Sequence, residues 1–264
     1  YMNVTRASLY AGVAADSLTA GAGWAGGHLA FAPGEGDFNW ESFEAYAAAN
    51  DFSGETVTIT GPWTGLDAEL FESVTAFFAE ATGATVEYSG SDSFEQDLVI
   101  ATQADTPPNI AVIPQPGLMA DLAAAGELTP LGEDTAAWIG DNYAAGSSWV
   151  SLGTAAGPDG ADALYGYFYK VDEKSLVWYS PEAFDEAGYD IPETMEDLLA
   201  LSDQIGAEGG TPWCIGLGSG AATGWPATDW VEDIMLRTQP PEVYDGWGSN
   251  EISFDDERVV GAIE

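Results

Sequence analysis

The feature that most constrains this fold is a regular alternation of strand-like and helix-like segments between Glu55 and Gly126. Thr56-Val57-Thr58-Ile59-Thr60 is rich in β-branched residues and reads as a strand. Gly61-Pro62-Trp63-Thr64-Gly65 reads as a tight loop. Asp67 is the expected cap of a helix with Leu70, Phe71, Val74, Phe77, Phe78 and Ala81 at helical spacing, ended by Gly83. Residues 85–88 read as a second strand, and Ser93-Phe94-Glu95-Gln96 has the form of a capping box opening a helix to about Ala104. Ile110-Ala111-Val112-Ile113 is continuously apolar, which predicts a strand inside a parallel sheet. Pro114-Gln115-Pro116-Gly117 leads into a helix that Gly126 stops. The order βαβαβα predicts an open α/β sheet. Such sheets hold ligands beyond the carboxyl ends of their strands. Those ends carry Trp63, residues 91–93 and Gln115.

The flanking segments are less regular. Residues 1–33 are rich in Ala and Gly and read as an export-signal remnant or a disordered tail. Arg6 is the only base there, Asp16 interrupts the apolar part, and Trp24 stands where a lipoprotein signal would need Cys. Residues 40–49 predict a short helix with Trp40, Phe43 and Tyr46 on one side. Residues 128–162 are looser and hold Trp138 and Trp149. Residues 164–179 read as two strands broken by the charged patch Val171-Asp172-Glu173-Lys174. A helix near 181–187 ends at Gly188, and Thr194 caps another with Met195, Leu198, Leu199 and Ile205 inward.

Residues 211–230, TPWCIGLGSGAATGWPATDW, draw the most attention. Trp213-Cys214-Ile215 reads as a buried strand, residues 216–224 as a glycine-rich loop, and Thr228 or Asp229 as the cap of a helix to about Arg237. Glycines let the backbone approach a ligand closely. Backbone amides and Ser219 hydrogen-bond, and a tryptophan face packs on C–H surfaces. This set suits a polar, uncharged ligand. The competing reading is a strand–helix connection with Trp225 in the core. Residues 256–264 read as a helix just starting, so the second half of the chain is expected to be an unfinished lobe.

Composition removes several function classes. Five Lys+Arg against 44 Asp+Glu give a net charge of −39. Such a chain repels phosphate, which excludes a general nucleic-acid binder and disfavours an anionic membrane surface. Ten Trp, eleven Tyr and eleven Phe are many for so acidic a surface and point to aromatic contact surfaces as well as core. Cys214 is the single cysteine and His28 the single histidine. No intrachain disulfide or cysteine zinc cluster is possible, and a hydrolytic triad would have to use His28. No metal or cofactor is expected. No run is long and apolar enough to span a bilayer.

The order of motifs from about Glu55 onward resembles the solute-binding proteins of ABC sugar importers, the maltose-binding-like class, and within it the α-glucoside-binding branch. The resemblance rests on Gly61-Pro62-Trp63, residues 108–117 (PNIAVIPQPG), residues 170–179 (KVDEKSLVWY), and WCIGLGSG with TGWPATDW inside residues 213–230. It implies an α/β, periplasmic-binding-protein-like (type II) fold with two lobes joined by a hinge and sugar held in the cleft. The expected division is a tail at 1–33, an extension at 34–54, a first lobe at 55–168, and the hinge crossing with a second lobe at 169–264. The implied role is binding of an α-glucoside or related oligosaccharide outside the cytoplasm and delivery to ABC permease subunits, by a monomer. By position the resemblance implies ligand contacts from Trp63 and Gln115 in the first lobe, Asp172 just past the crossing, and Ser219, Gly220 and Trp225 in the second. Glu95 and Lys170 are further candidates. Trp63 could instead cover the sheet edge, Gln115 could be a turn residue, and Asp172 could pair with Lys170 or Lys174, the only lysines.

Two other functions fit parts of the sequence. An acidic, aromatic-rich chain could carry the paired carboxylates of a glycoside hydrolase. Charge alone would suit a cationic solute such as a polyamine, with binding that collapses in salt.

Overall fold

The computed structural model describes residues 29–37, 39–220 and 223–264. The signal-like stretch with Arg6, Asp16 and Trp24, and His28 with it, lies outside the described residues. The chain divides into two compact units, Tyr1–Phe168 and Tyr169–Glu264.

In the first unit the alternation folds as its pattern dictates. Helix α1 (Trp40–Ala49) lays its aromatic side on the next helix. Phe43 and Trp40 lie 6.4 and 6.0 Å from Phe77, and Tyr46 lies 6.4 Å from Phe78. Strand β1 (Thr56–Gly61), helix α2 (Gly65–Thr82), β2 (Thr85–Gly90), α3 (Phe94–Gln103), β3 (Ile110–Ala111) and α4 (Pro116–Ala125) follow in order. The strands form a parallel sheet ordered β2-β1-β3, with Thr56 opposite Thr85 and Ile59 opposite Ile110. Gly83 and Gly126 end α2 and α4 in the left-handed region, at φ 74° and 82°. Phe94, Leu98 and Leu122 bury one face of α3 against α4.

Several local expectations are corrected. β3 pairs over two residues rather than four, and Ile110 is exposed. The Asn109 side chain takes over the ladder there. Its Oδ1 accepts from the Thr58 N–H at 2.9 Å, and the Asn109 backbone N–H donates to Thr58 Oγ1. α2 begins at Gly65 with Thr64 as its N-cap, so Asp67 lies inside the first turn, and Val74 faces solvent. Ser93 caps α3 by position without a side-chain bond. Ser91 ties the preceding turn to the helix, accepting from the Ser93 N–H and donating to Asp97 at 2.7 Å. The looser stretch after α4 contains α5 (Glu133–Asn142), α6 (Gly146–Leu152) and an antiparallel hairpin of β4 (Thr154–Ala156) and β5 (Asp162–Leu164).

The second unit holds α7 (Pro181–Ala187), α8 (Met195–Ala207), α9 (Trp225–Thr238), α10 (Pro241–Gly248) and α11 (Glu257–Ile263). Thr194 and Asp197 form a complete capping box on α8. Met235, Val243, Val259 and Ala262 make a small core between α9, α10 and α11. The strands expected within residues 164–179 do not form beyond Leu164, and neither does one at Trp213-Cys214-Ile215. A strand needs a neighbour to take up its backbone groups, and among the described residues of this unit no strand is present. Trp213 and Ile215 are accordingly exposed, as are Met195 and Leu199, which were expected inward. Cys214 is exposed rather than buried. No helix among the described residues is long and apolar enough to cross a membrane.

Candidate ligand-binding loop and strand ends

In the first unit the three parallel strands run in one direction, so their carboxyl ends lie at one edge of the sheet. Trp63 follows β1 by two residues. Its N–H donates to the Tyr88 hydroxyl at 3.0 Å, and that hydroxyl donates back to the Trp63 carbonyl at 3.1 Å. Burial pushes the Tyr88 hydroxyl pKa up, against the opposing pull of the Trp63 hydrogen bond, so it stays a neutral phenol. The Trp63 ring packs 5.2 Å from Phe71 and is half-buried. β2 ends on Gly90 because nothing larger fits. A Cβ built there would sit 1.6 Å from the Trp63 carbonyl oxygen. Gln115 is the exposed N-cap of α4 and makes no side-chain capping bond. Glu95 lies half-buried in the first turn of α3.

In the second unit hydrogen bonds tie together described residues of the glycine-rich loop. Thr223 Oγ1 accepts from the Ser219 N–H at 3.1 Å and donates to the Leu217 carbonyl at 2.9 Å. Ser219 Oγ accepts from the Trp225 indole N–H at 3.1 Å. Gly220 takes φ 55°, a left-handed turn that glycine adopts without strain. α9 starts at Trp225, with Pro226 in its first turn, so Thr228 and Asp229 lie within the helix rather than capping it. Trp225 is 43% exposed, which leaves indole surface open for contact.

Two lysine ion pairs lie in the second unit, and one of them reaches this loop. Lys170 reaches Asp172 Oδ2 at 3.4 Å, with both side chains about half exposed. Such a surface pair contributes little, and it leaves Oδ1 of Asp172 to accept other donors. Lys174 reaches Asp229 Oδ2 at 3.3 Å, and Asp229 is the more buried partner. Lys174 Nζ also lies 4.5 Å from the Trp225 ring centroid. The structure thus joins Ser219 to Trp225 and Lys170 to Asp172. Lys174, Asp229 and Thr223 complete the loop and were not among the residues singled out. The only signal for Lys174 was the scarcity of lysine. Asp229 was read only as a cap.

The chemistry on offer is an aromatic face, hydroxyls and carboxylates, with no gathered metal-ligand set among the described residues. That is equipment for holding a polar molecule.

The family model for bacterial extracellular solute-binding proteins matches residues 61–263. The chain is 58% identical over 263 residues to the alpha-glucosides-binding periplasmic protein AglE of Rhizobium meliloti (strain 1021), covering 97% of this chain and 57% of that protein. It is 44% identical over 209 residues to the osmoprotective compounds-binding protein GgtB of Synechocystis sp., covering 79% of this chain and 48% of that protein. The chain therefore spans about half the length of the curated relatives it matches. A solved structure from work on xylan utilisation by a thermophilic Caldanaerobius polysaccharolyticus superposes with a TM-score of 0.57 at 19% identity, covering 78% of this chain and 51% of that one. At that identity the likeness shows a shared fold. The chain belongs to the bacterial extracellular solute-binding protein family.

Proposed function

We propose that this chain binds an α-linked glucoside or a related oligosaccharide outside the cytoplasm and serves the permease of an ABC importer. The observation that carries the proposal is the set of hydrogen bonds joining Ser219, Thr223 and Trp225 in the second unit. A sugar presents hydroxyls around its rim and C–H faces above and below. An open indole held by a hydroxyl loop matches both, and needs no neutralising charge. The 58% identity to an alpha-glucosides-binding periplasmic protein supports the same ligand class.

In this reading the sugar stacks on the Trp225 face away from Lys174, and Asp172 accepts from two neighbouring hydroxyls. Trp63 and Gln115 are the first unit's ligand contacts, with Glu95 and Lys170 secondary. The segment near Phe168-Tyr169-Lys170-Val171-Asp172 is the hinge between first and second lobes. The protein acts as a monomeric binder and not as a hydrolase.

The test is titration of the full chain with maltose, trehalose and sucrose, followed by tryptophan fluorescence. At least one sugar should bind with little dependence on salt, because no ligand charge is involved. A chromogenic α-glucoside should be returned intact. Binding of spermidine that collapses in salt, with no response to any sugar, would replace the sugar reading by a cationic-solute one. Release of the chromophore would make the chain an enzyme.

A further inference from the structure

We infer that Lys174 is a positioning residue for the ligand platform, acting on the sugar only through Trp225. The inference rests on the sugar-binding reading for its consequence, and on three independent contacts for its geometry.

The ammonium of Lys174 lies 4.5 Å from the centroid of the Trp225 ring, within the range of a cation–π contact. The same ammonium lies 3.3 Å from Asp229 Oδ2. That oxygen is buried and accepts no hydrogen bond, so the ammonium is its compensating charge. The neighbouring Ser175 hydroxyl donates to the Asp229 carbonyl at 2.9 Å, across 54 residues of sequence. Ser175 holds φ 59°, a left-handed conformation that a non-glycine residue keeps only where its surroundings impose it. An otherwise irregular segment is thereby pinned to the first two turns of α9.

The result is a ring fixed on two sides. Ser219 holds the indole edge through its N–H, and Lys174 covers one face. A half-exposed tryptophan without these contacts would sample other rotamers, and a ligand would have to order it on binding. Holding it beforehand removes that cost. Lys174 also decides which face of Trp225 remains for a ligand.

A double-mutant cycle in the full chain tests this, with maltose affinity read by calorimetry. Lys174→Met should weaken binding by about twofold to fivefold, the scale of an exposed cation–π contact. Lys174→Arg should restore most of the affinity, since a guanidinium serves both the ring and the carboxylate. In a Trp225→Ala background Lys174→Met should leave the affinity essentially unchanged. An equal loss in both backgrounds would overturn the inference, because the lysine would then touch the sugar itself or merely support the fold. A second readout needs no ligand. The indole N–H resonance of Trp225, identified by its loss in Trp225→Phe, should shift and broaden in Lys174→Met and in Lys174→Gln but stay in place in Lys174→Arg. An unmoved resonance overturns the inference. If no sugar binds the parent, the ligand reading fails while this resonance still decides the role of Lys174.

Discussion

β1 in the first unit and Trp213-Cys214-Ile215 in the second both read as strands and have different fates. Residues 56–61 find β2 on one side and β3 on the other, and Ile59 is 5% exposed. Trp213-Cys214-Ile215 finds no strand among the described residues, and Ile215 is 56% exposed. The Trp213 ring instead packs edge-on against Trp230 at 6.1 Å, and its indole N–H donates to Ser202. A strand-like segment records only a local tendency. Whether it becomes a strand depends on a neighbour that the segment itself does not encode.

The comparison is sharpened by perturbing each unit's core. Met235→Ala removes a fully buried side chain from the α9–α10–α11 core and should cost about 2–5 kcal/mol. Trp178→Ala, at a residue 80% exposed, should change stability by less than about 0.5 kcal/mol. Urea unfolding gives both values. Equal effects would mean that the second unit buries its aromatics in solution after all. Gly90→Ala in the first unit forces a methyl against the Trp63 carbonyl and should cost roughly 1–3 kcal/mol by overpacking. Hydrogen exchange should rise in β1 and β2 and leave α9–α11 protected. Loss of protection in both units together would break the division into two compact parts.

The smallest effect concerns acid. The Arg258 guanidinium hydrogen-bonded beside Asp256 lowers its carboxyl pKa from 3.8 to about 2. Because the folded value lies below the ordinary one, the stabilisation is fully present above pH 3.8 and is lost as pH falls through about 2. Asp256→Asn should remove that part of the acid dependence of α11 protection. A variant whose α11 opens along the same pH curve as the parent would show the pair to be inert.

Much of the first unit was legible because its elements are long and their signals agree. β-branched residues, helical spacing and terminal glycines coincide from Thr56 to Gly126. The hairpin of β4 and β5 was not legible, since Thr154-Ala155-Ala156 and Asp162-Ala163-Leu164 are too short to show a period. The start of α9 was misplaced toward Thr228 and Asp229, although Pro226 favours a first turn and marked the true start. In the loop, Ser219 and Trp225 stood out by type. Lys174 and Asp229 did not, because their contact with each other and with Trp225 bridges segments far apart in sequence and appears only on folding.

The central claim is that the Trp225 loop presents a sugar-binding surface, with Asp172 as a further ligand contact. Calorimetric titration of the full chain with maltose, alongside Asp172→Asn and Trp225→Ala, tests it most directly. Loss of a carboxylate bound to buried hydroxyls should cost about 1.5–3 kcal/mol, roughly a tenfold to hundredfold weaker affinity. Loss of the indole should weaken binding by a similar factor. Parent-like affinity in both variants would contradict the claim and place the ligand elsewhere on the chain.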